Sequence, residues 1–232
     1  MTAPTPRLRT GDDPVPGAII EALPIFPLPN AVFFPNTLLP LHVFEPRYRA
    51  LVKHVMETDQ RMAIALLRPG FEPAYHGAPA IHDVLCLGEV VTLQELPDGR
   101  SNVLLRGVVR VKVLEELETE HAFRTVKVRV EGSEMDGQQG CTLARELATV
   151  RQLFSTVVAR VPQLQIQDAG GLFSPDADPA TVLDAIASAA PAEPERKQEI
   201  LAERNLVRRA EILASVLAEA VADTMSEAYG SV

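Results

Sequence analysis

Two histidine–glutamate pairs come closest to chemistry in this sequence: His42-Val-Phe-Glu45 and His54-Val-Met-Glu57. Imidazole nitrogen and carboxylate oxygen both ligate divalent metals, and on a helix His54 and Glu57 would share one face. The same spacing also serves ordinary folding. His42 and Glu45 straddle a strand-to-helix junction, where the helix dipole favours a carboxylate. No group that would orient the imidazoles is evident, so no metal and no other cofactor is assigned. His76, His82 and His121 stand alone and read as loop or surface residues. A second set is cationic. Arg106 and Arg110, with Lys112, place positive charge on a valine-rich stretch that could meet phosphate or an acidic peptide, although such charges also solvate the outer face of a strand. A third set is apolar. Phe33-Phe34-Pro35 follows Pro27, Pro29 and Asn30 in a proline-punctuated loop, with Phe44 nearby. Adjacent residues of an extended segment point to opposite faces. That geometry would put one ring in the core and leave the other to a polypeptide-binding patch; the reading that both rings are buried under the loop weighs slightly more.

Signatures of catalysis are absent. The sequence contains no Gly-x-x-x-x-Gly-Lys-Ser/Thr phosphate loop and no Gly-Lys pair at all. Gly-x-Gly-x-x-Gly, Gly-x-Ser-x-Gly and His-Glu-x-x-His are missing as well. Cys86 and Cys141 have no Cys-x-x-Cys partner, which leaves a disulfide framework and a structural zinc site unsupported. A net charge of −9 works against a global attraction to nucleic acid, and zero Trp with three Tyr leaves few rings for stacking bases.

The elements that must carry these residues change period partway along the chain. Val126, Val128 and Val130 alternate with Thr125, Lys127 and Arg129, and Val109, Val111 and Val113 alternate with Arg110 and Lys112. Both patterns predict half-buried strands. RMAIALLR (61–68) predicts a fully buried one, and Pro97-Asp98-Gly99-Arg100 predicts the turn of a hairpin. One helix, about 45–58, opens at Glu45-Pro46 and carries Tyr48, Leu51, Val52, Val55 and Met56 at helical spacing. Beyond Gly132 the period becomes helical. Leu143, Leu147, Val150, Phe154, Val157 and Val161 form one stripe, with Pro162 as its stop. Asp178-Pro179 starts another helix, and Leu206, Ala210, Leu213, Leu217 and Val221 line a third. The charged run ERKQEILAERNLVRRAE reads as an exposed helix side. Strands followed by helices, without βαβ alternation, predict an α+β fold in two parts. Its expected divisions are a disordered tail over 1–19, a β part over 20–133, a linker over 134–140 and an α-helical part over 141–226. The tail, rich in Pro, Gly and charge, lacks the apolar stretch of a signal peptide, and no window reaches membrane-spanning length. A cytoplasmic protein without membrane contact is expected.

The stretch LPIFPLPNAVFFPNTLLPLHVFEPRYRALV (23–52) resembles the opening of the Lon protease N-terminal, substrate-binding domain. Further similarities follow in order: Gly88, Leu96-Pro97-Asp98-Gly99, Arg106-Gly107, Asp178-Pro179-Ala180, and Leu183-Asp184 with Ile186-Ala187. The Phe-Glu-Pro-Arg-Tyr-Arg run (44–49) is similar to that of free-standing bacterial members. The resemblance covers about residues 20 to 225. It implies a PUA-like β-barrel followed by a C-terminal α-helical bundle. It also implies a non-catalytic module that recognises unfolded or specific proteins, since the sequence lacks Walker motifs and the Ser-Lys protease dyad. RNA binding is the second reading, as PUA-like barrels elsewhere bind RNA. The candidate partner contacts are Phe33, Phe34, His42, Phe44, Glu45, Arg47, Tyr48, Arg106 and Arg110.

Overall fold

The alternating valines become strand β6 (Thr125–Glu131), with Val126, Val128 and Val130 buried and Lys127 and Arg129 partly covered. This strand closes a ring in the computed structural model, which describes residues 14–75, 77–135, 137, 139–160, 174 and 176–229. β1 (Ile19–Leu28) pairs antiparallel with β6 along its first part and parallel with β3 (Arg61–Leu66) along its second. β3 pairs with β4 (Val84–Glu95), and β4 with β5 (Ser101–Leu117). The far half of β5 then returns to β6, while its near half also carries β2 (Leu38–Val43). The sheet order is β2-β5-β4-β3-β1-β6, with β5–β6 as the closing pair. β5 serves several neighbours because it is 17 residues long. Closure leaves the ring without the free edges of an open sheet.

Inside the ring, Ala63 and Ala65 share the core with Leu23, Ile25, Leu85, Leu87, Val111 and the β6 valines. Small residues facing large ones suit so narrow an interior. Residues 17–19, placed with the tail on sequence grounds, belong to this unit: Gly17 N–H donates to Val130 O at 2.8 Å, and Val130 N–H to Ala18 O at 2.8 Å. Residues 1–13 lie outside the described residues.

Helix α1 (Pro46–Glu57) begins where Pro46 fixes φ in its first turn, and it buries Tyr48, Leu51, Val52 and Val55. The loop before β2 behaves differently from the expected extended segment. Asn36 takes a left-handed φ of 57°, and both Phe33 and Phe34 are buried, at 2% and 0% exposure. Opposite-face geometry requires a strand, and residues 31–36 form no strand. The loop rests instead on Gly88 and Gly107, which face each other across β4 and β5. A Cβ at Gly88 would lie 2.7 Å from the Phe33 ring, and one at Gly107 would lie 2.1 Å from Phe34 O. Backbone bonds from Asn36 N–H to Gly107 O and from Gly107 N–H to Thr37 O, both 2.9 Å, fasten the contact.

The chain divides into two units, Met1–Gly132 and Ser133–Val232. In the second, α2 (Gly140–Arg160) buries Leu143, Leu147, Val150, Phe154 and Val157; Val161 and Pro162 lie outside the described residues. Asp178 caps α3 (Pro179–Ala189), its carboxylate accepting from Thr181 N–H at 2.9 Å. Then come α4 (Pro194–Ala202) and α5 (Leu206–Tyr229). The charged run spanning α4 and α5 is not all exposed. Arg209 is fully buried, with Nη1 3.5 Å from the buried Asp184 of α3 and with Nε and Nη2 donating to Glu203 O at 3.0 and 2.8 Å. Its position explains this, because Leu206, Arg209 and Leu213 recur at helical spacing on the inward stripe. Among the described residues no helix is long and apolar enough to cross a membrane.

Candidate functional site

The β4–β5 hairpin turns through Gly99 at a φ of +79°, a conformation open to glycine at little cost. Leu96 N–H donates to Arg100 O at 2.8 Å, and Gly99 N–H to Leu96 O at 2.9 Å. Asp98 accepts from Arg100 N–H at 3.1 Å and from Arg100 Nε at 2.6 Å. The backbone donor of Arg100, ahead of its side chain, holds the Asp98 carboxyl below its ordinary pKa. The hairpin tip meets the start of α1, where a Cβ on Gly99 would lie 2.2 Å from Arg49 Nη2.

Past that contact the helix and the hairpin stand apart, enclosing an open groove of about 690 Å³. Val52 and Met56 line it from α1 and Leu93 and Leu96 from the hairpin, so its floor is apolar. Arg49, Lys53, Glu57, Glu95 and Arg100 bring charge to its walls. Arg100 also leads out of the groove, its Nη1 lying 3.4 Å from His42 Nε2. The other ring nitrogen of His42, Nδ1, is 2.8 Å from Asn102 Oδ1, and the ring lies 6.2 Å from that of Phe44. Phe44 is 59% exposed, the one exposed phenylalanine among the described residues.

The remaining candidates separate into distinct settings. Glu45, Arg47 and Tyr48 form a structural box with Tyr75. Arg47 Nε donates to Glu45 at 3.0 Å and Arg47 Nη1 to Tyr75 O at 3.2 Å, while Tyr75 Oη donates to Glu45 Oε1 at 3.2 Å. The guanidinium lies 4.6 Å from the Tyr48 ring and 5.3 Å from that of Tyr75, within cation–π range. Tyr48 stacks on Phe26 at 4.0 Å, donates to Pro27 O at 3.3 Å, and has its phenol pushed up to about 12 by burial. The cavity beside this box, about 80 Å³, holds a few waters at most.

Phe33 and Phe34, being buried, present no ring to a partner. Arg106 pairs with Glu89 of β4 at 2.9 Å. Arg110 is 4% exposed, in register between Cys86 and Glu131, and is removed from the surface contacts expected of it. The two histidine–glutamate pairs do not assemble: His54 lies 4.9 Å from the His121 ring and 5.2 Å from Phe123, away from the contacts of His42. Among the described residues no group of three or more His, Cys, Asp or Glu is placed to hold a metal. The groove residues Arg49, Lys53, Met56, Leu93 and Leu96 were not among the candidates. The helix and the hairpin are each visible in the sequence, but their apposition depends on a contact between distant segments.

Residues 22–219 match the family described as the ATP-dependent protease La (LON) substrate-binding domain. Lon protease 2 of Herpetosiphon aurantiacus is 26% identical over 218 residues, covering 90% of this chain and 25% of that protein. Lon protease of Anaeromyxobacter dehalogenans is 29% identical over 200 residues, covering 86% and 23%. The chain thus spans about a quarter of the length of these curated relatives. Among solved structures, the N-terminal domain of Mycobacterium avium complex Lon protease superposes with a TM-score of 0.65 at 14% identity, covering 86% of this chain and 99% of that one. The Lon N-terminal domain protein from Xanthomonas campestris gives 0.57 at 22% identity, covering 84% and 98%. With 198 residues inside the family match, this chain belongs to the Lon substrate-binding domain family.

Proposed function

We propose that this chain is a non-catalytic polypeptide-recognition module, a cytoplasmic adaptor in protein quality control, and that its ligand binds between α1 and the β4–β5 hairpin. The groove carries the reading: about 690 Å³ of open space over Val52, Met56, Leu93 and Leu96, linked through Arg100 and His42 to the exposed Phe44. Concave apolar surface with a polar rim is how proteins take extended or amphipathic segments of other chains. Membership of a substrate-binding family points the same way. The RNA reading calls for Arg106 and Arg110 on one basic surface, and the burial of Arg110 and the pairing of Arg106 with Glu89 count against it.

The test is fluorescence anisotropy with a labelled unfolded polypeptide and a labelled single-stranded RNA, at low and moderate salt. Salt-tolerant binding of the polypeptide alone is expected, weakened at least about fivefold (~1 kcal/mol) by Met56→Ser with Leu96→Ser. Both residues are only partly buried, so the substitutions should leave stability within about 1 kcal/mol. Unchanged polypeptide affinity in that variant would move the site elsewhere, and steeply salt-dependent RNA binding would replace the reading.

A further inference from the structure

The groove is asymmetric in charge. Arg49, Lys53 and Glu57 stand at i, i+4 and i+8 of α1, all exposed and all lining the opening. Such spacing keeps them on one helix face, with Arg49 and Glu57 about 12 Å apart along the axis. Arg100 of the hairpin tip stands close by, but its charge is matched by Asp98 at 2.6 Å, and Glu95 lines the hairpin side, so the asymmetry lies along the α1 wall. Among the described residues no ion pair occupies the side chains of Arg49, Lys53 or Glu57. Several charges on the sheet are matched, Arg106 with Glu89, Arg129 with Glu131 and Lys127 with Glu21. The apolar floor lies between the unmatched charges.

Building on the polypeptide-recognition reading, we infer that the groove selects segments by charge pattern: an acidic residue and a basic residue about four positions apart, flanking an apolar centre. An extended peptide advances about 13 Å over four residues, close to the span from Arg49 to Glu57. Residues i, i+2 and i+4 of such a peptide point to the same side. The acid then meets Arg49 and Lys53, the central side chain meets Met56, Leu93 and Leu96, and the base meets Glu57. The charges select among apolar segments, while the floor supplies most of the affinity, because exposed ion pairs contribute little each.

Four fluorescein-labelled peptides with blocked ends test this on the full chain. They share one apolar centre and carry Asp and Lys, two Asp, two Lys or two Ser at the flanking positions. The Asp/Lys peptide should bind about two- to fivefold tighter than the Ser/Ser peptide at low salt. The advantage should fade near about 0.5 M salt. Arg49→Glu combined with Lys53→Glu makes the whole α1 wall anionic and should transfer the preference to the Lys/Lys peptide, a gain that misfolding cannot imitate. Equal binding of all four peptides, or an order unchanged by Arg49→Glu with Lys53→Glu, overturns the charge-pattern inference and leaves the groove reading standing. Failure of every peptide, Ser/Ser included, overturns both.

Discussion

The 29–37 loop and helix α1 both lie against the ribbon formed by β4 and β5, yet one contact is sealed and the other is open. The loop reaches backbone-to-backbone distance because Gly88 and Gly107 face each other where it lands, and the space above them is filled by Phe33 and Phe34. At the hairpin end the approach is made by Gly99 and the guanidinium of Arg49, and past them about 690 Å³ stays unfilled. Apolar side chains border both contacts, Phe33 and Phe34 at one and Val52, Met56, Leu93 and Leu96 at the other; what differs is whether the facing element can come close. Close packing of aromatic rings onto glycine stabilises the fold. A long charged side chain as spacer holds apolar surface open to solvent, which costs stability and is characteristic of surface kept for a partner.

The sealed contact should break most severely at Gly107. A Cβ there meets Phe34 O at 2.1 Å, Phe34 C at 2.9 Å and Pro35 Cα at 3.1 Å, all backbone atoms unable to swing aside. Gly107→Ala should therefore lift the loop and expose both phenylalanines, costing about 3 kcal/mol or more in urea unfolding. A loss below about 1 kcal/mol would show that the loop does not depend on this approach. Gly88→Ala sharpens the point, because the one atom its Cβ would crowd is at the edge of the Phe33 ring, at 2.7 Å, while Arg106 O and Leu105 Cβ lie at 3.4 and 3.6 Å. A ring can tilt, so the expected cost is lower, about 1–3 kcal/mol. Combining it with Phe33→Leu should recover part of that loss, as non-additivity between touching side chains. Strict additivity would mean that the two groups are not in contact.

This contrast explains what the sequence could and could not reveal. The β6 alternation, the Gly99 turn, the Pro46 helix start and the Asp178 cap were legible because each is decided by residues within a few positions of one another. The burial of both Phe33 and Phe34 was one of two readings open to the sequence, because the glycines that decide it lie far along the chain. Arg209 was hidden for a related reason: inside a charged run its place on the apolar stripe matters more than its type, and its acidic neighbour Asp184 belongs to another helix. In the groove, Arg49 and Lys53 fall outside the apolar spacing of their helix, and nothing near them in the sequence marks them. The hairpin that turns that face into a wall could be seen only as a hairpin. Of the partner contacts named from sequence, His42 and Phe44 lie beside the groove, while Glu45, Arg47 and Tyr48 hold α1 to its neighbours.

Helix α1 carries both kinds of surface, which allows a finer test on its sealed side. Tyr48 stacks on Phe26, and its hydroxyl donates to Pro27 O. Tyr48→Phe keeps the stack and removes one hydrogen bond, a loss near neutral pH of about 1 kcal/mol, the smallest effect considered. The pH dependence is more diagnostic. Burial raises the Tyr48 phenol from 10.0 to about 12, so the fold favours the neutral form. That contribution is fully present below pH 10, where the unfolded chain also keeps the proton, and it is lost as pH rises through 10 to about 12. Wild-type stability should thus fall more steeply over that window than that of Tyr48→Phe. The upward shift of Tyr75 is common to both proteins and cannot supply the difference. Parallel curves would mean that the inner face of α1 admits water or charge at Tyr48, and the distinction between its sealed and open sides would fail there.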